Sequence, residues 1–391
     1  MPLEALSRIH EHKIIKSIHQ SLSKFLMGLI LISFAILMSS ILPNGNASIL
    51  LMRMLVGIYR LANCAIVLLL SYELSRQYEI AVEAMCGVSL VLFGGVFADS
   101  LQNIFEINFF VIALGIPLLS LVIIKGCSVL LNKGKLGIVK KIPKAITVAY
   151  GKLLLSLFSL VVTFALVTLL QPYMRSFTIT VSNGFLASMK VFSHSIWLYL
   201  VIMLLMQRIW YEGLHGDAML APFFEPILII LTSFNIGQSL NMISFESIIN
   251  TSFYTTFMGA SGSGLTGAII LNAWAMGRIK EDDVLKSAVV PAIFNINEPL
   301  MFGIPIVSNS ELKIPFLFAP LVASTLAFFL TKAGYIKPFL LAVPWFVPPG
   351  LKSYLATGGD FMSVFWEITI YMVVVMLYYP FVRKHYQKGE Q

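Results

Sequence analysis

Residues 287–307 read SAVVPAIFNINEPLMFGIPIV, an apolar run long enough to cross a bilayer but interrupted by Pro291, Pro299 and Pro305 and by Asn295, Asn297 and Glu298 in its middle. Proline lacks a backbone N–H and excludes helical geometry at the residue before it, so Glu298, standing before Pro299, marks an expected helix break. A second apolar stretch, residues 218–232, is about 15 residues long, below the roughly 17–25 that a span needs, and carries Pro222 and Pro226. Irregular backbone at membrane depth persists only where protein buries it or where it lines a watery cavity. The two stretches therefore predict two re-entrant hairpins around such a cavity.

The rest of the chain asks for the same solvent. Of 391 residues, 58% are hydrophobic and 12% charged, against roughly 45–50% and 25% in a soluble domain, and mean hydropathy is +0.86. Most helix faces then have no polar residues to turn toward water, which excludes the soluble enzyme classes. The formal net charge of +8 is read as membrane topology rather than as a nucleic-acid surface, because basic residues collect on the cytoplasmic side of spans. Cys64, Cys86 and Cys127 have neither metal-type nor redox-type spacing and are read as core residues with no disulfide.

Clean spans are expected near residues 25–42, 54–74, 80–98, 104–124, 146–170, 195–210, 248–276, 314–330 and 364–382. The turn around Pro43, Asn44, Gly45 and Asn46 and the one around Asp99, Gln102, Asn103 and Glu106 lack basic residues and should face outward. Arg76 and the connection 125–152, with Lys133, Lys135, Lys140, Lys141 and Lys144, should face the cytoplasm, as should Arg383, Lys384 and Lys388. Both termini inside require an even number of spans. The expected fold class is thus an all-α membrane protein of about ten transmembrane helices, with two re-entrant hairpins in the second half. It divides into a cytoplasmic segment 1–24, a first membrane half 25–171, a second membrane half 172–383 and a cytoplasmic tail 384–391.

Glu298 is the sharpest chemical signal, because a carboxylate inside an apolar segment is expensive and marks a substrate, ion or proton site. The bland alternative is a carboxylate satisfied by Asn295, Asn297 or free backbone donors at the break. His215 lies in WYEGLHGD, residues 210–217, between Gly213 and Gly216, which suit a tight turn; it reads either as a pocket residue or as a satisfied interfacial histidine. Glu212, Asp217 and Glu225 nearby read mostly as interfacial groups, though any of them could orient His215 or line an entry path. GSGLTG, residues 262–267, matches a dinucleotide pattern literally, but has no strand–turn–helix context or acidic partner, so its small residues are read as allowing close approach of helices or of a sugar. No G-K-[ST] loop is present and the scattered histidines form no metal set, so no cofactor and no metal are expected. Trp345, with Pro344, Pro348 and Pro349, makes a rigid turn with an aromatic face suited to a pyranose or to the membrane interface.

FNINEPLMFGIPIVSN (294–309), EGLHGD (212–217), GASGSGLTG (259–267) and VPWFVPPGLKSYLATGGD (343–360), with SYELSRQY (71–78) more faintly, resemble the enzyme IIC permeases of the bacterial phosphotransferase system, in the lactose, cellobiose and diacetylchitobiose branch. The resemblance implies a multi-pass protein of the bacterial inner membrane with cytoplasmic termini, a first half forming a homodimer interface and a second half enclosing the sugar. It implies a permease that carries a β-linked disaccharide inward while a phosphorylated IIB partner, itself served by IIA, transfers a phosphoryl group from a phosphocysteine to the sugar 6-hydroxyl. The chain would then be the membrane subunit of a phosphotransferase complex whose donor lies on IIB. By the same resemblance, the catalytic pair falls on Glu298 and His215, and the sugar-binding set adds Asn297, Asn295, Gly262, Ser263 and Trp345. The sequence departs from the family pattern at Gly259–Gly264, at Tyr211 and Glu212, and at Asn309 and Ser310. Different readings would be a proton-coupled sugar transporter or a non-transporting sugar sensor of the same fold. Membrane lipid is an expected partner for the basic connection, and nucleic acid is not.

Overall fold

The computed structural model describes residues 12–42, 46–98, 102, 104, 106–133, 144–242, 246–280, 282–304, 306, 307 and 309–388. Residues 1–11, the turn residues Pro43, Asn44, Gly45, Asp99 and Asn103, the basic positions Lys135, Lys140 and Lys141, and Pro305 lie outside them. The described residues form helices and the turns and loops between them, with no strand. The chain separates into two compact units, residues 1–28 with 53–188, and residues 29–52 with 189–391. Helix α1 (Lys13–Ile41) contributes to both.

In the first unit, α3 (Ala62–Tyr78), α4 (Val82–Val96) and α5 (Phe110–Lys133) enclose a cluster of Leu70, Leu74, Met85, Val88, Leu121 and Ile124. Polar cross-links are sparse: Lys24 pairs with Glu73, Ser71 donates to Ser89 at 2.8 Å, and the Asn63 amide donates to the carbonyls of Ile104 and Glu106. The expected span 54–74 is instead two helices, α2 (Asn46–Arg60) and α3, bent by 45° at Leu61. α6 (Lys144–His194) runs 51 residues straight past the expected span end at Leu170 and through Pro172. Membrane helices tolerate such a proline because neighbouring helices, side chains or local adjustments re-satisfy the freed backbone groups.

The second unit holds α7 (Ile196–Tyr211), α8 (Gly216–Ser239), α9 (Thr251–Phe257), α10 (Gly267–Ala275), α11 (Asp283–Ile293), α12 (Glu298–Gly303), α13 (Lys313–Lys332), α14 (Leu351–Ala356) and α15 (Phe361–Lys388). α15 packs on α10 and α13, and α13 on α7. An aromatic run ties α7, α8 and α9 together: Tyr199 meets Phe224 and Phe253 at 6.1 and 5.9 Å, and Phe253 meets Phe257 at 5.1 Å.

Two expectations change here. Residues 218–232 are not broken: α8 is one helix of 24 residues that takes both Pro222 and Pro226 into its body. Conversely, the clean span expected over 248–276 is interrupted between α9 and α10, where Ser261, Gly262, Gly264 and Leu265 all have positive φ. Small Gly, Ser and Thr residues raise no hydropathy alarm, yet they permit the left-handed backbone that a helix cannot contain. The break in 287–307 is where the sequence puts it. α11 closes with Asn295 at φ 64, Ile296 N–H bonding the Pro291 carbonyl and Asn295 N–H bonding that of Ala292, a Schellman end. Among the described residues, six helices are long and apolar enough to span a membrane, or seven if the bent α2–α3 pair is one span; α4 and α7 are shorter apolar helices. The result is an all-helical membrane protein.

Candidate functional site

The second unit brings three irregular segments together: the turn before α8, the turn between α9 and α10, and the break between α11 and α12. Each carries a residue that the sequence singles out. The Asn295 amide is the knot. Its Nδ2 donates to the carbonyls of Trp345 (2.7 Å) and Val347 (2.9 Å), and its Oδ1 accepts from Ser261 N–H (2.8 Å). One buried side chain thereby satisfies backbone groups of two other segments that have left regular structure. Asn297 does the same two residues later, donating to the Ser263 carbonyl at 2.7 Å and to Thr266 Oγ1 at 3.1 Å.

The glycines of residues 259–267 fill no nucleotide role; protein atoms occupy the space beside them. A Cβ on Gly262 would lie 2.3 Å from Asn297 Cγ, one on Gly264 2.4 Å from the Phe316 ring, and one on Gly267 2.5 Å from Ser261. α15 supports this turn from behind, Tyr371 sharing a 2.7 Å hydrogen bond with Ser261 and Tyr378 donating to the Gly264 carbonyl at 2.6 Å.

His215 caps α8: its Nδ1 accepts from Ala218 N–H at 3.1 Å, which in a neutral ring leaves the proton on Nε2. The ring is exposed and packs on Trp210, centroids 4.3 Å apart. Gly216 is required next to it, since a Cβ there would meet the Met206 carbonyl oxygen at 2.4 Å. Asp217, one of three nearby acidic residues read as mostly interfacial but able to orient His215, is the main polar junction of this corner. It accepts from Trp210 Nε1 (2.6 Å), from Ser263 Oγ (3.0 Å) and from the Tyr254 hydroxyl. Its position in the first turn of α8 also suits a negative charge. No local signal revealed this, because Tyr254 and Ser263 reach it from distant parts of the chain.

A continuous path results: His215 and Asp217 share the start of α8, Asp217 holds Ser263, and Ser263 is held by Asn297, the residue preceding Glu298. Glu298 opens α12 with Pro299 beside it; its side chain is exposed and has no hydrogen-bond partner among the described residues. Its carboxylate is therefore free to accept from a ligand. Glu212 is also exposed and pairs with Arg208 at 2.5 Å.

The loop leading to α14 contributes differently. Trp345 offers its carbonyl to Asn295 and, at 2.7 Å, to the Lys352 ammonium, while its ring is 54% exposed and stands edge-on to Phe346. Lys352 itself is 1% exposed; the sequence reading did not single it out. Thus Asn295, Asn297, Gly262, Ser263 and the Trp345 backbone meet directly, His215 joins through Asp217, and Glu298 joins through Asn297.

Residues 12–320 match the family model described as "Phosphotransferase system, EIIC". The chain is 37% identical over 183 residues to the lichenan permease IIC component of Bacillus subtilis (strain 168), covering 45% of this chain and 39% of that protein. It is 26% identical over 270 residues to the cellobiose-specific EIIC component of Lactococcus lactis, covering 62% of this chain and 54% of that one. The chain thus spans about half or less of the length of these curated relatives in the matched regions. Its fold is similar to the crystal structure of the transporter ChbC, the IIC component of the N,N'-diacetylchitobiose-specific phosphotransferase system, with TM-score 0.82, 20% identity, and coverage of 98% of this chain and 96% of that one.

Proposed function

This chain belongs to the phosphotransferase system EIIC family, and we propose that it is a sugar permease that binds a β-linked disaccharide of the cellobiose or diacetylchitobiose type and carries it inward as a phosphorylated IIB partner phosphorylates the 6-hydroxyl. The observation that carries this reading is the path from His215 through Asp217, Ser263 and Asn297 to Glu298, which joins two polar motifs far apart in sequence within one unit.

Phosphoryl transfer needs positioning and charge stabilisation more than a strong base. Glu298, with no competing partner among the described residues, accepts a hydrogen bond from the attacking hydroxyl and draws its proton as transfer proceeds. His215, capped through Nδ1, donates from Nε2 to the same oxygen and orients it. Asn295, Asn297, Gly262 and Ser263 hold the two helix starts in register, and Trp345 offers an exposed ring to the apolar face of a pyranose. The new phosphate then adds negative charge beside Glu298, which favours release.

The interrupted pairs α9–α10 and α11–α12 support a reading as the two re-entrant hairpins of a ten-span fold in a bacterial inner membrane, both termini cytoplasmic. In that reading, residues 25–171 supply a homodimer interface and residues 172–383 the sugar site. IIB supplies the phosphocysteine and IIA recharges it. The test is phosphoenolpyruvate-dependent phosphorylation of β-linked disaccharides by inverted vesicles given the general phosphotransferase proteins and candidate IIA and IIB chains. The expected result is a sugar phosphate whose formation falls by about 10²–10⁴-fold in Glu298→Gln. Sugar binding without product, with active partners verified, would overturn it in favour of a sensor or of proton-coupled transport.

A further inference from the structure

Lys352 is buried to 1% exposure on α14, a place where an ammonium is expensive unless its donors are used and its charge is met. Two of its three donors are used. Its Nζ donates to the Trp345 carbonyl at 2.7 Å and to the Thr255 carbonyl at 3.2 Å. Glu367 on α15, 3% exposed, is a second buried ionisable group beside this loop and accepts the Gly350 N–H at 2.9 Å. The two carbonyls are not arbitrary: Thr255 sits on α9 just before the glycine-rich turn, and Trp345 carries the exposed ring.

We propose that Lys352 is a positioning residue for sugar recognition: through its bonds to the Trp345 and Thr255 carbonyls it locks the Trp345 loop to α9 and so sets where the aromatic face stands relative to the turn carrying Ser263. The proposal rests on the reading of Trp345 as a sugar platform. The hydrogen-bonded anchors of this loop are backbone groups. Val343 N–H bonds Ser252 Oγ at 3.2 Å, Trp345 and Val347 carbonyls receive Asn295, Trp345 receives Lys352 as well, and Gly350 N–H bonds Glu367. Among these contacts, the bond from Lys352 is the charge-assisted one that reaches the Trp345 peptide itself, and such bonds are about twice as strong as neutral ones. A pair retained only for stability is replaceable by apolar groups with little loss; a pair that sets the ring affects affinity.

The test is a double-mutant cycle read as sugar dissociation constants for cellobiose, diacetylchitobiose and lactose, measured calorimetrically on the full chain in detergent or nanodiscs. Lys352→Met is combined with Glu367→Gln, so that no lone buried charge remains, and the pair is placed in the native and the Trp345→Ala backgrounds. The expected result is weakening of about 10-fold in the native background and under about 2-fold once Trp345 is gone, the coupling of residues that act through one another. Lys352→Arg, which keeps the charge, should restore part of the affinity. Equal losses in both backgrounds, or a Trp345→Ala variant that binds as the native chain does, overturn the proposal while leaving the permease reading intact. A native chain that binds none of the sugars overturns both, and is recognised before any variant is made.

Discussion

Helices α8 and α11 end in the same way and are used differently. Both carry prolines in their bodies, Pro222 and Pro226 in one and Pro291 in the other, and neither stops at them. Each stops at an asparagine in the left-handed region, Asn241 at φ 57 and Asn295 at φ 64. In each, the next N–H reaches back five residues, Met242 to Gly237 and Ile296 to Pro291. The backbones are alike, but the side chains are not. Asn241 is exposed, whereas Asn295 is buried and spends its amide on Ser261, Trp345 and Val347. A helix end becomes part of a site when its capping side chain also serves the loose backbone of its neighbours.

The comparison is tested most severely by Asn295→Ala, which removes three hydrogen bonds and replaces a residue that tolerates left-handed geometry with one that does not. Unfolding in mixed micelles should show a loss of about 4 kcal/mol, and Asn295→Gly, which relieves only the backbone, should recover about 1 kcal/mol of it. Next comes Gly262→Ala, with φ 91 and a Cβ 2.3 Å from Asn297; the same assay should register about 2–3 kcal/mol. Asn241→Ala should lower stability by about 1 kcal/mol, the backbone part alone. If it matched Asn295→Ala, the distinction between the two ends would vanish. Smallest is Pro226→Ala, expected within about 1 kcal/mol of the parent, with hydrogen exchange showing α8 still one unit.

Hydropathy made the membrane class legible, and the Asn-x-Asn-Glu-Pro run made the break before α12 legible, because both are local properties of the chain. Proline was a poor guide to the other break. Pro222 and Pro226 predicted an interruption that α8 does not have, since in apolar surroundings a helix tolerates a missing donor. The interruption lies instead in a Gly- and Ser-rich turn whose small residues look apolar in a hydropathy window. The contacts that Asp217 and Lys352 make were not legible. The first is defined by Tyr254 and Ser263, and the second by carbonyls at Thr255 and Trp345; these are tertiary facts that no spacing rule reaches. Lys and Arg also weigh so heavily in topology counts that a single buried lysine is absorbed into the tally.

The Trp345 loop is held by its peptide groups rather than by its rings. Its support therefore does not depend on which side chains stand at positions 345 and 346. In the proposed permease, selection could therefore vary those two residues, and with them the preference among sugars, while the scaffold beneath stays put.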